Sequence, residues 1–236
     1  NAARFALMRV SPGAVPPVSE VRADLSSADG WILGRLQEVA GKVDAAIENY
    51  RLDEASDAIY HFMWDEFCDW YIEMAKPALA EGADPRRKRA CEATLVHVLD
   101  HGLRLLHPFC PFITEEIWQK LPLRDRKTDT IQHAAFPVPD ASLSFEAARA
   151  VVEGAQEFCN AVRRLRAEYV HVLPPATRVK VRAVALQDRG DEAPITEFAA
   201  AISRLANLSD IAFDTAFPDA ELKTFPVADG RRYRVM

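Results

Sequence analysis

The segment DEASDAIYHFMWDEFCDWYIEMA, residues 53–75, decides the fold of this chain. Its apolar residues recur every three or four positions, which places them on one wide face of a helix. These residues are Ala55, Ile59, Phe62, Met63, Phe67, Trp70, Tyr71 and Met74. Because so wide a face suits contact with two neighbours, we predict a central bundle helix from Asp53 to about Ala80, with Pro77 kinking or ending its last turn.

Similar apolar stripes predict helices on both sides of this segment. One runs over residues 26–50 and begins at a serine cap, Ser26 or Ser27. The next begins at Asp84-Pro85 and stops at His107-Pro108, because the residue before a proline disfavours helical geometry. A short helix over residues 115–121 follows, with Thr114 as its cap. The first eight residues, which begin with Asn1 rather than methionine, also predict a helix, so we expect a piece of a longer chain.

The pattern changes after a polar stretch that ends near Ser142. A long helix over residues 145–169 is followed by alternation typical of a strand at 178–184, a helix at 195–205 and a strand at 211–213. Asp229-Gly230 is a hairpin signal. We predict a mainly α chain with two parts. An antiparallel helix bundle occupies residues 1–142, and a long helix with a small α+β segment occupies residues 143–236.

The composition favours a globular protein of the cytoplasm. The 236 residues carry a formal net charge of −6, and no apolar run reaches the roughly 18 residues that a membrane span needs. No signal-peptide pattern opens the chain. Its cysteines, Cys68, Cys91, Cys110 and Cys159, form no Cys-x-x-Cys pair, so we expect buried thiols rather than a zinc or redox motif.

The motifs most typical of an enzyme are incomplete. His97 and His101 lie one helical turn apart and could hold a metal, but Val98 stands where a metalloprotease needs glutamate. We therefore expect structural histidines and no metal. Asp65, Asp69 and Glu73 share one helix face and fit solvation or ion pairing better than catalysis. No Gly-rich phosphate loop or nucleophile motif occurs, so we expect no catalytic residue.

Positive charge is clustered in spite of the acidic total. Arg86 to Arg89 open one predicted helix, where solvation is the favoured interpretation. Arg163, Arg164 and Arg166 lie together on the long helix and are followed by alternating cations in the first strand, Arg178, Lys180 and Arg182. For this second cluster, phosphate binding and solvation remain open alternatives.

Several segments together resemble class I valyl-tRNA synthetases over most of the chain. The segment His107-Pro108-Phe109-x-Pro111-Phe112-Ile113-Thr114-Glu115-Glu116-Ile117-Trp118 alone would indicate the valine, isoleucine or leucine group, and Glu66-Phe67-Cys68-Asp69-Trp70-Tyr71 narrows it to valine. Three further segments agree: Asn1-Ala2-Ala3-Arg4-Phe5, Trp31-Ile32-Leu33-x-Arg35-Leu36 and Ala75-Lys76-Pro77. Residues 162–175 resemble the family's link to a terminal coiled coil, and the resemblance fades after about Phe213.

The resemblance implies a part of a valine–tRNA ligase that binds the anticodon stem and loop of a valine-type tRNA. The family's catalytic signatures and editing domain do not occur in this sequence, so the resemblance implies that ATP and magnesium belong to a catalytic domain elsewhere. The partners that it implies are the tRNA and, in cis, the rest of the synthetase, with no membrane.

The resemblance also implies where the anticodon is contacted. The opening helix offers Arg4 and Phe5, with Asn1 next, because splayed bases stack on aromatic or guanidinium planes. The alternative is Phe5 in the core and Arg4 in an ion pair. Weaker candidates for phosphate contacts, which could instead neutralise the acidic central helix, are Arg35, Arg51, Arg163, Arg164 and Arg166. A different function also remains open: a free-standing helical module that binds protein through an apolar groove.

Overall fold

The computed structural model describes residues 1–13, 15–123, 128–171, 174, 176–185, 192–214, 216–218, 227–229 and 232–236. They form two compact units, Asn1–Arg149 and Ala150–Met236, so the division lies inside the long helix rather than in the loop before it. The first unit is helical, and the second combines helix with a small sheet. The prediction of a mainly α chain with a small α+β segment is confirmed.

The first unit contains the predicted helices. Their bounds are α1 Ala2–Arg9, α2 Ser27–Glu48, α3 Leu52–His61, α4 Ile72–Ala75, α5 Pro85–Leu106 and α6 Pro111–Trp118, and α7 (Glu146–Glu168) begins in this unit. Short 3-10 turns occur at Val18–Glu20, Arg22–Asp24, Ile131–His133 and Ala141–Leu143. Within the described residues, no helix combines the length and the apolar character that a membrane span requires.

The central segment is one continuous helical path with a change of winding. Between α3 and α4, residues Phe62–Tyr71 form a π-helix. Phe62 and Phe67 are five residues apart and both fully buried, a spacing that falls on one face when hydrogen bonds join residues five apart. The sequence correctly predicts the helix, but a regular α-helix is wrong for these ten residues.

Asp29 joins the start of α2 to this central path. Ser26 is the predicted cap, and its hydroxyl accepts from the Asp29 amide at 3.1 Å while the Asp29 carboxylate accepts from the Ser26 amide at 2.8 Å. The other carboxylate oxygen accepts from the Tyr71 hydroxyl at 2.7 Å. Burial, followed by the nearby Asp29 charge, raises the pKa of Tyr71 well above its ordinary value, so the phenol remains a donor.

The predicted cap of the short helix is wrong. α6 begins one turn earlier, at Pro111, and Thr114 lies inside it with its side chain buried. The Thr114 hydroxyl donates to the Cys110 carbonyl oxygen at 2.8 Å and lies 2.8 Å from His107 Nδ1. A proline suits the first turn of a helix, where its missing amide proton costs nothing, and this preference prevails over the threonine signal.

The cysteines differ more than the sequence predicts. Cys91 and Cys159 are buried, Cys68 is half-buried and Cys110 is exposed, so a buried thiol is the wrong expectation for two of the four. Burial raises the pKa of the Cys159 thiol to about 11, which makes the thiolate scarce at neutral pH.

Gly30 on α2 allows a close approach by the start of α7. A Cβ atom placed there would lie 3.1 Å from Ala148 Cβ and 3.1 Å from Phe145 Cγ. We expect Gly30→Leu to lower the free energy of unfolding by about 1–3 kcal/mol, because the neighbours must move. The matched control is Gly41→Leu on the same helix, where the nearest atom, Pro139 Cγ, is at 3.4 Å. Chemical denaturation measures both, and equal stability of the two variants would contradict the packing described.

The second unit places α7 against a small mixed sheet. Its strands are β1 Val179–Ala185, β2 Leu208–Asp214, β3 Ala228–Asp229 and β4 Tyr233–Val235, and the helices between β1 and β2 are α8 Ala193–Glu197 and α9 Ala199–Leu205. The sheet order is β2-β1-β4-β3, with β1 and β2 parallel and the other neighbours antiparallel. Phe158 of α7 meets Tyr233 edge to face at 5.7 Å. The turn of the predicted hairpin includes Gly230, which lies outside the described residues.

Candidate nucleic-acid interface

The opening helix is fixed to the bundle at its C-terminal end. Ala6 is fully buried, and beyond the helix the amide and hydroxyl of Ser11 donate to Glu92 Oε1 on α5 at 3.0 and 2.7 Å. Val10 packs beside the apolar cluster that includes Ala90 of α5. These contacts hold one side of α1 and leave its other side open to solvent.

The open side carries the residues that the sequence singles out. Asn1 and Arg4 are exposed, and Asn1 makes no capping bond with its side chain. Among the described residues no carboxylate pairs with Arg4. Met8, one turn further along, is 73% exposed. Spacings of three and four residues place this set on one helical face.

Phe5 lies at the edge of the bundle rather than in its core. Its side chain is half-buried, and two cations lie over the ring: Arg9 Cζ at 5.7 Å from the ring centre and Lys76 Nζ at 5.8 Å. Lys76 also pairs with Glu73. The arrangement is an aromatic ring flanked by positive charge, which suits both base stacking and phosphate contact.

The sequence did not identify Arg9 and Lys76. Arg9 lies one turn after Phe5 on the same helix, and this spacing could have indicated it. Lys76 is 71 positions away in the sequence and reaches the ring only because the C-terminal end of α4 packs near α1. We call the set Asn1, Arg4, Phe5, Arg9 and Lys76 the α1 face.

The other cations proposed in this unit have intramolecular partners. Arg35 binds Glu66 through two hydrogen bonds of 2.8 and 2.7 Å and also pairs with Glu38, and its side chain is only 19% exposed. Arg51 pairs with Asp53 and Glu54 but is more than half exposed. Arg35 therefore neutralises carboxylates of its own unit. Arg51 is exposed enough to exchange its carboxylate partners for a phosphate.

The basic run at the start of α5 is largely solvated. Arg86 and Arg89 are exposed, whereas Arg87 donates to the Asp24 carbonyl oxygen and lies 3.7 Å from the Asp29 carboxylate. The predicted solvation thus describes the two outer arginines, and Arg87 has a structural role.

The cluster on α7 belongs to the second unit. Arg163 and Arg164 are exposed, and Arg163 Nε donates to the Leu205 carbonyl oxygen at 3.1 Å. Arg166 donates to the Thr177 carbonyl oxygen at 2.9 Å. Arg163 and Arg166 line a shallow pocket of about 280 Å³ together with Asn207. Two of the three guanidinium groups are thereby held in place by backbone carbonyl groups.

The acidic series on the central path has local cationic neighbours. Asp65 lies 2.6 Å from His61 Nδ1, and Glu73 pairs with Lys76. Asp57, on the other side of His61, lies 3.4 Å from its Nε2. The hydrogen bond to Asp65 is the largest cause that raises the pKa of His61. Asp65 and Glu73 thus each have a partner on the same helical path.

His97 and His101 stack on each other with ring centres 4.0 Å apart. His101 Nδ1 lies 3.0 Å from the His97 carbonyl oxygen, and Asp100 is held by Arg104 and by Trp118 Nε1. Among the described residues, no group of three or more His, Cys, Asp or Glu side chains could hold a metal. The two rings thus form a stacked pair on α5.

Burial makes this histidine pair sensitive to acid. Burial lowers the pKa of His97 to about 3 and that of His101 to about 4, so both rings are neutral in the folded state near neutral pH. Because the unfolded rings bind protons near pH 6.5, we expect the free energy of unfolding to be fully present above about pH 6.5 and to fall as the pH drops toward 4.

The variant His97→Phe should reduce that slope between pH 6.5 and 4, because one of the two titrating rings is removed. Urea denaturation at several pH values measures the effect. The control His133→Phe changes an exposed histidine and should leave the slope nearly unchanged. A slope that is identical in all three proteins would show that His97 is not buried as a neutral ring.

Comparison with known proteins finds both a family model and similar proteins that match this chain. The family model described as the anticodon-binding domain of tRNA ligase matches residues 29–177. The valine–tRNA ligase of Laribacter hongkongensis is 39% identical over 238 residues, which cover 100% of this chain and 24% of that protein. The corresponding enzyme of Chromobacterium violaceum is 38% identical over the same shares. That of Geobacter sulfurreducens is 44% identical over 71% of this chain and 19% of its own length.

This chain spans about a quarter of the length of the first two relatives, or 24% of each. The family model covers well over half of the chain, including nearly all of α2 and the whole of α3 to α7. The chain belongs to the family of anticodon-binding domains of tRNA ligases.

Proposed function

We propose that this chain is the anticodon-binding part of a valine–tRNA ligase and that its α1 face reads the unpaired anticodon. One observation carries the proposal: Arg4 is exposed without a partner among the described residues, beside a half-buried Phe5 that two cations flank. The similarity to valine–tRNA ligases along the whole chain supports a valine-type tRNA as the partner.

The chemistry of the α1 face fits single-stranded RNA. An unstacked base can lie on the Phe5 ring or on the Arg9 guanidinium plane, because every base offers a π face to such platforms. Arg4 can donate two parallel hydrogen bonds to a base edge. Lys76 places a point charge within reach of a neighbouring phosphate. Asn1 adds an amide that can donate and accept.

Contacts to the RNA backbone complete the proposal. A protein of net charge −6 needs local positive surface to hold phosphates. In the second unit, backbone carbonyl groups hold Arg163 and Arg166 in place, and Arg164 is exposed beside them. We assign these three arginines to phosphate contacts, with Arg51 as a further candidate, and give Arg35 a structural role because Glu66 holds it.

The chain itself performs no chemistry in this proposal. The relatives are ligases, and this chain spans only about a quarter of their length, 24% in the first two. ATP, magnesium and valine would act in the remaining parts of the enzyme, which join this chain in cis. Its contribution is the binding energy that presents the correct tRNA to those parts, and its expected location is the cytoplasm.

The cations beside Phe5 allow a test by salt. We expect Lys76→Gln to weaken binding of a valine-type anticodon stem-loop and to reduce the slope of log affinity against log salt by about 0.7–0.9, the value for one lost phosphate contact. Fluorescence anisotropy at several salt concentrations measures both. The control Lys120→Gln removes an exposed lysine of the α6 end and should leave the slope unchanged. Equal slopes for wild type and Lys76→Gln would remove Lys76 from the interface.

The alternative function, a helical module that binds protein, is supported by the neighbouring exposed apolar residues Phe112 and Ile113 on α6. The same titration separates the two. If the chain is instead a protein-binding module, we expect no salt-dependent binding of the stem-loop. Binding that disappears at moderate salt and returns on dilution supports tRNA, whereas a folded protein without measurable stem-loop binding contradicts our proposal.

A further inference from the structure

Two large aromatic side chains lie side by side on the outer surface of the central helical path. Tyr60 is 56% exposed and Trp64 is 58% exposed. Their rings are stacked, with 6.2 Å between the ring centres and an angle of 6° between the ring planes. Contiguous apolar surface of this kind in solvent is typical of an interaction site, because aromatic side chains gain much free energy when they are buried.

A row of charged groups runs beside the two rings. Asp57, His61 and Asp65 follow each other at four-residue spacing, which places them on a helical face next to Tyr60 and Trp64. The Asp65 carboxylate lies 2.6 Å from His61 Nδ1, and the Asp57 carboxylate lies 3.4 Å from Nε2. The His61 ring also meets the Tyr60 ring edge to face at 5.5 Å. We call these five residues the aromatic–acidic face.

The aromatic–acidic face keeps a net negative charge. Asp57 and Asp65 are both more than half exposed and share one histidine, and no lysine or arginine among the described residues pairs with either carboxylate. Even a protonated His61 offsets only one of these two charges. Asp69, exposed one turn further along the path, adds another carboxylate. The surface therefore combines aromatic rings with excess negative charge.

This combination excludes two classes of occupant on electrostatic grounds. A nucleic acid approaches with its phosphates, which the carboxylates repel, whereas Arg9 and Lys76 flank the ring of the α1 face with positive charge. A second copy of the chain also fits poorly, because two chains of net charge −6 repel each other. The surface instead complements a cationic partner.

Arginine side chains match both components of the face. A cation above a tryptophan or tyrosine ring is attracted by the negative face of the ring, and tryptophan gives the strongest attraction. A guanidinium group also donates two parallel hydrogen bonds to one carboxylate, and its plane stacks on aromatic rings, which the ammonium group of lysine does not do. Tryptophan, tyrosine and arginine are also the residues that contribute most to protein interfaces.

We propose that the aromatic–acidic face binds an arginine-rich segment of another protein. One arginine lies on the Trp64 ring, and its neighbours pair with Asp57 and Asp65 in place of His61. The face is much smaller than the roughly 20–30 residues on each side of a stable complex, so the binding is weak and reversible. The inference uses no residue of the α1 face and does not depend on the proposed anticodon contact.

The test is a titration of the ¹⁵N-labelled chain with a short peptide of alternating arginine and glycine. The reporter is the indole N–H signal of Trp64, assigned by its loss in Trp64→Ala. We expect the arginine peptide to shift this signal in a saturable way and the matching lysine peptide to bind more weakly. The matching glutamate peptide and an anticodon stem-loop should leave the signal unchanged, because the face repels negative charge.

Variants and matched controls locate the binding, measured by fluorescence anisotropy of the labelled arginine peptide. Trp64→Ala should weaken it about five- to tenfold, the effect of an aromatic anchor at an interface. Asp57→Asn combined with Asp65→Asn keeps both rings and should weaken it by a similar factor, because the arginines lose their carboxylates. Phe112→Ala removes an exposed ring on α6, Asp44→Asn removes an exposed carboxylate on α2, and both should bind within about twofold of the wild type.

Several results would overturn the proposal. One is the absence of a saturable shift at millimolar arginine peptide. Equal binding by wild type and Trp64→Ala would show charge attraction without an aromatic contact. A shift of the Trp64 signal by the stem-loop would assign the face to RNA, and self-association that Trp64→Ala abolishes in analytical ultracentrifugation would assign it to a second copy.

A last comparison separates another protein from the rest of the ligase. Under the proposed function, a longer ligase that contains this chain should bind the arginine peptide as the chain alone does. A ligase that does not bind it would show that its own parts cover the face, and a separate partner would be refuted. Stem-loop affinity of Arg4→Ala and Phe5→Ala tests the α1 face by itself, so the two proposals fail independently.

Discussion

Replacing Asp29 by alanine should lower the free energy of unfolding by about 3–5 kcal/mol, the largest change in stability that we expect from one substitution. The Asp29 carboxylate is 1% exposed and accepts from the amide and hydroxyl of Ser26 and from the hydroxyl of Tyr71. Its removal disrupts the reciprocal cap of α2 and leaves the buried Tyr71 hydroxyl without this acceptor. Urea denaturation followed by circular dichroism measures the loss.

Two further variants test the origin of that effect. Tyr71→Phe keeps the ring and removes one donor, so we expect a smaller loss of about 1–2 kcal/mol. Asp44→Ala changes an exposed carboxylate on the same helix and should alter stability by less than about 0.5 kcal/mol. If Asp29→Ala is as stable as Asp44→Ala, the buried link between α2 and the central path does not stabilise the fold.

Arg4→Ala and Phe5→Ala should each weaken binding of a valine-type anticodon stem-loop by about 1–3 kcal/mol, which is the usual effect of losing a base contact or a base stack. Arg4→Ala removes an exposed guanidinium group that no described carboxylate neutralises. Phe5→Ala removes the ring that Arg9 and Lys76 flank. Because the two residues are neighbours, the double variant should lose less than the sum of the single losses. Fluorescence anisotropy with labelled RNA measures all three.

Matched exposed residues serve as controls for these losses. Phe112→Ala removes an aromatic ring that is 90% exposed on α6, and Arg86→Ala removes an exposed arginine at the start of α5. Neither belongs to the α1 face, and both should bind the stem-loop within about twofold of the wild type. Unchanged affinity of folded Arg4→Ala and Phe5→Ala would refute the assigned site.

Helix positions were the most predictable part of the fold. Pro85 after Asp84 places the start of α5 correctly, and Ser26 places the start of α2, because caps and prolines act locally. Spacing of apolar residues also gave the long helix α7 and the alternation of β1. These features depend on neighbours within a few residues, which a sequence shows directly.

Features that depend on tertiary packing were missed. The π-helix at Phe62–Tyr71 has apolar spacings that an α-helix also tolerates, so periodicity alone does not separate them. Thr114 is a good cap by type, but its hydroxyl is used by carbonyl groups one turn earlier. Pairing of β1 with β4 joins residues far apart in sequence, and no local signal specifies it.

The candidate site divides in the same way. Arg4 and Phe5 were indicated by resemblance. Arg9 was missed, although its position one turn after Phe5 could have indicated it, and Lys76 became visible only through its distance to the Phe5 ring. Arg35 looked like a cation available for phosphate until its bidentate pairing with Glu66 was seen. Charge in a sequence shows which groups exist, but only packing shows which of them are already neutralised.

The most direct test of an anticodon-reading α1 face is the affinity of this chain for two stem-loop RNAs that differ only in the anticodon. Both carry the same number of phosphates, so the backbone contribution cancels. We predict that the valine-type anticodon binds more tightly by about 1–3 kcal/mol for each altered base that is read, and that Phe5→Ala reduces this preference. Equal affinity for the two RNAs would contradict the account.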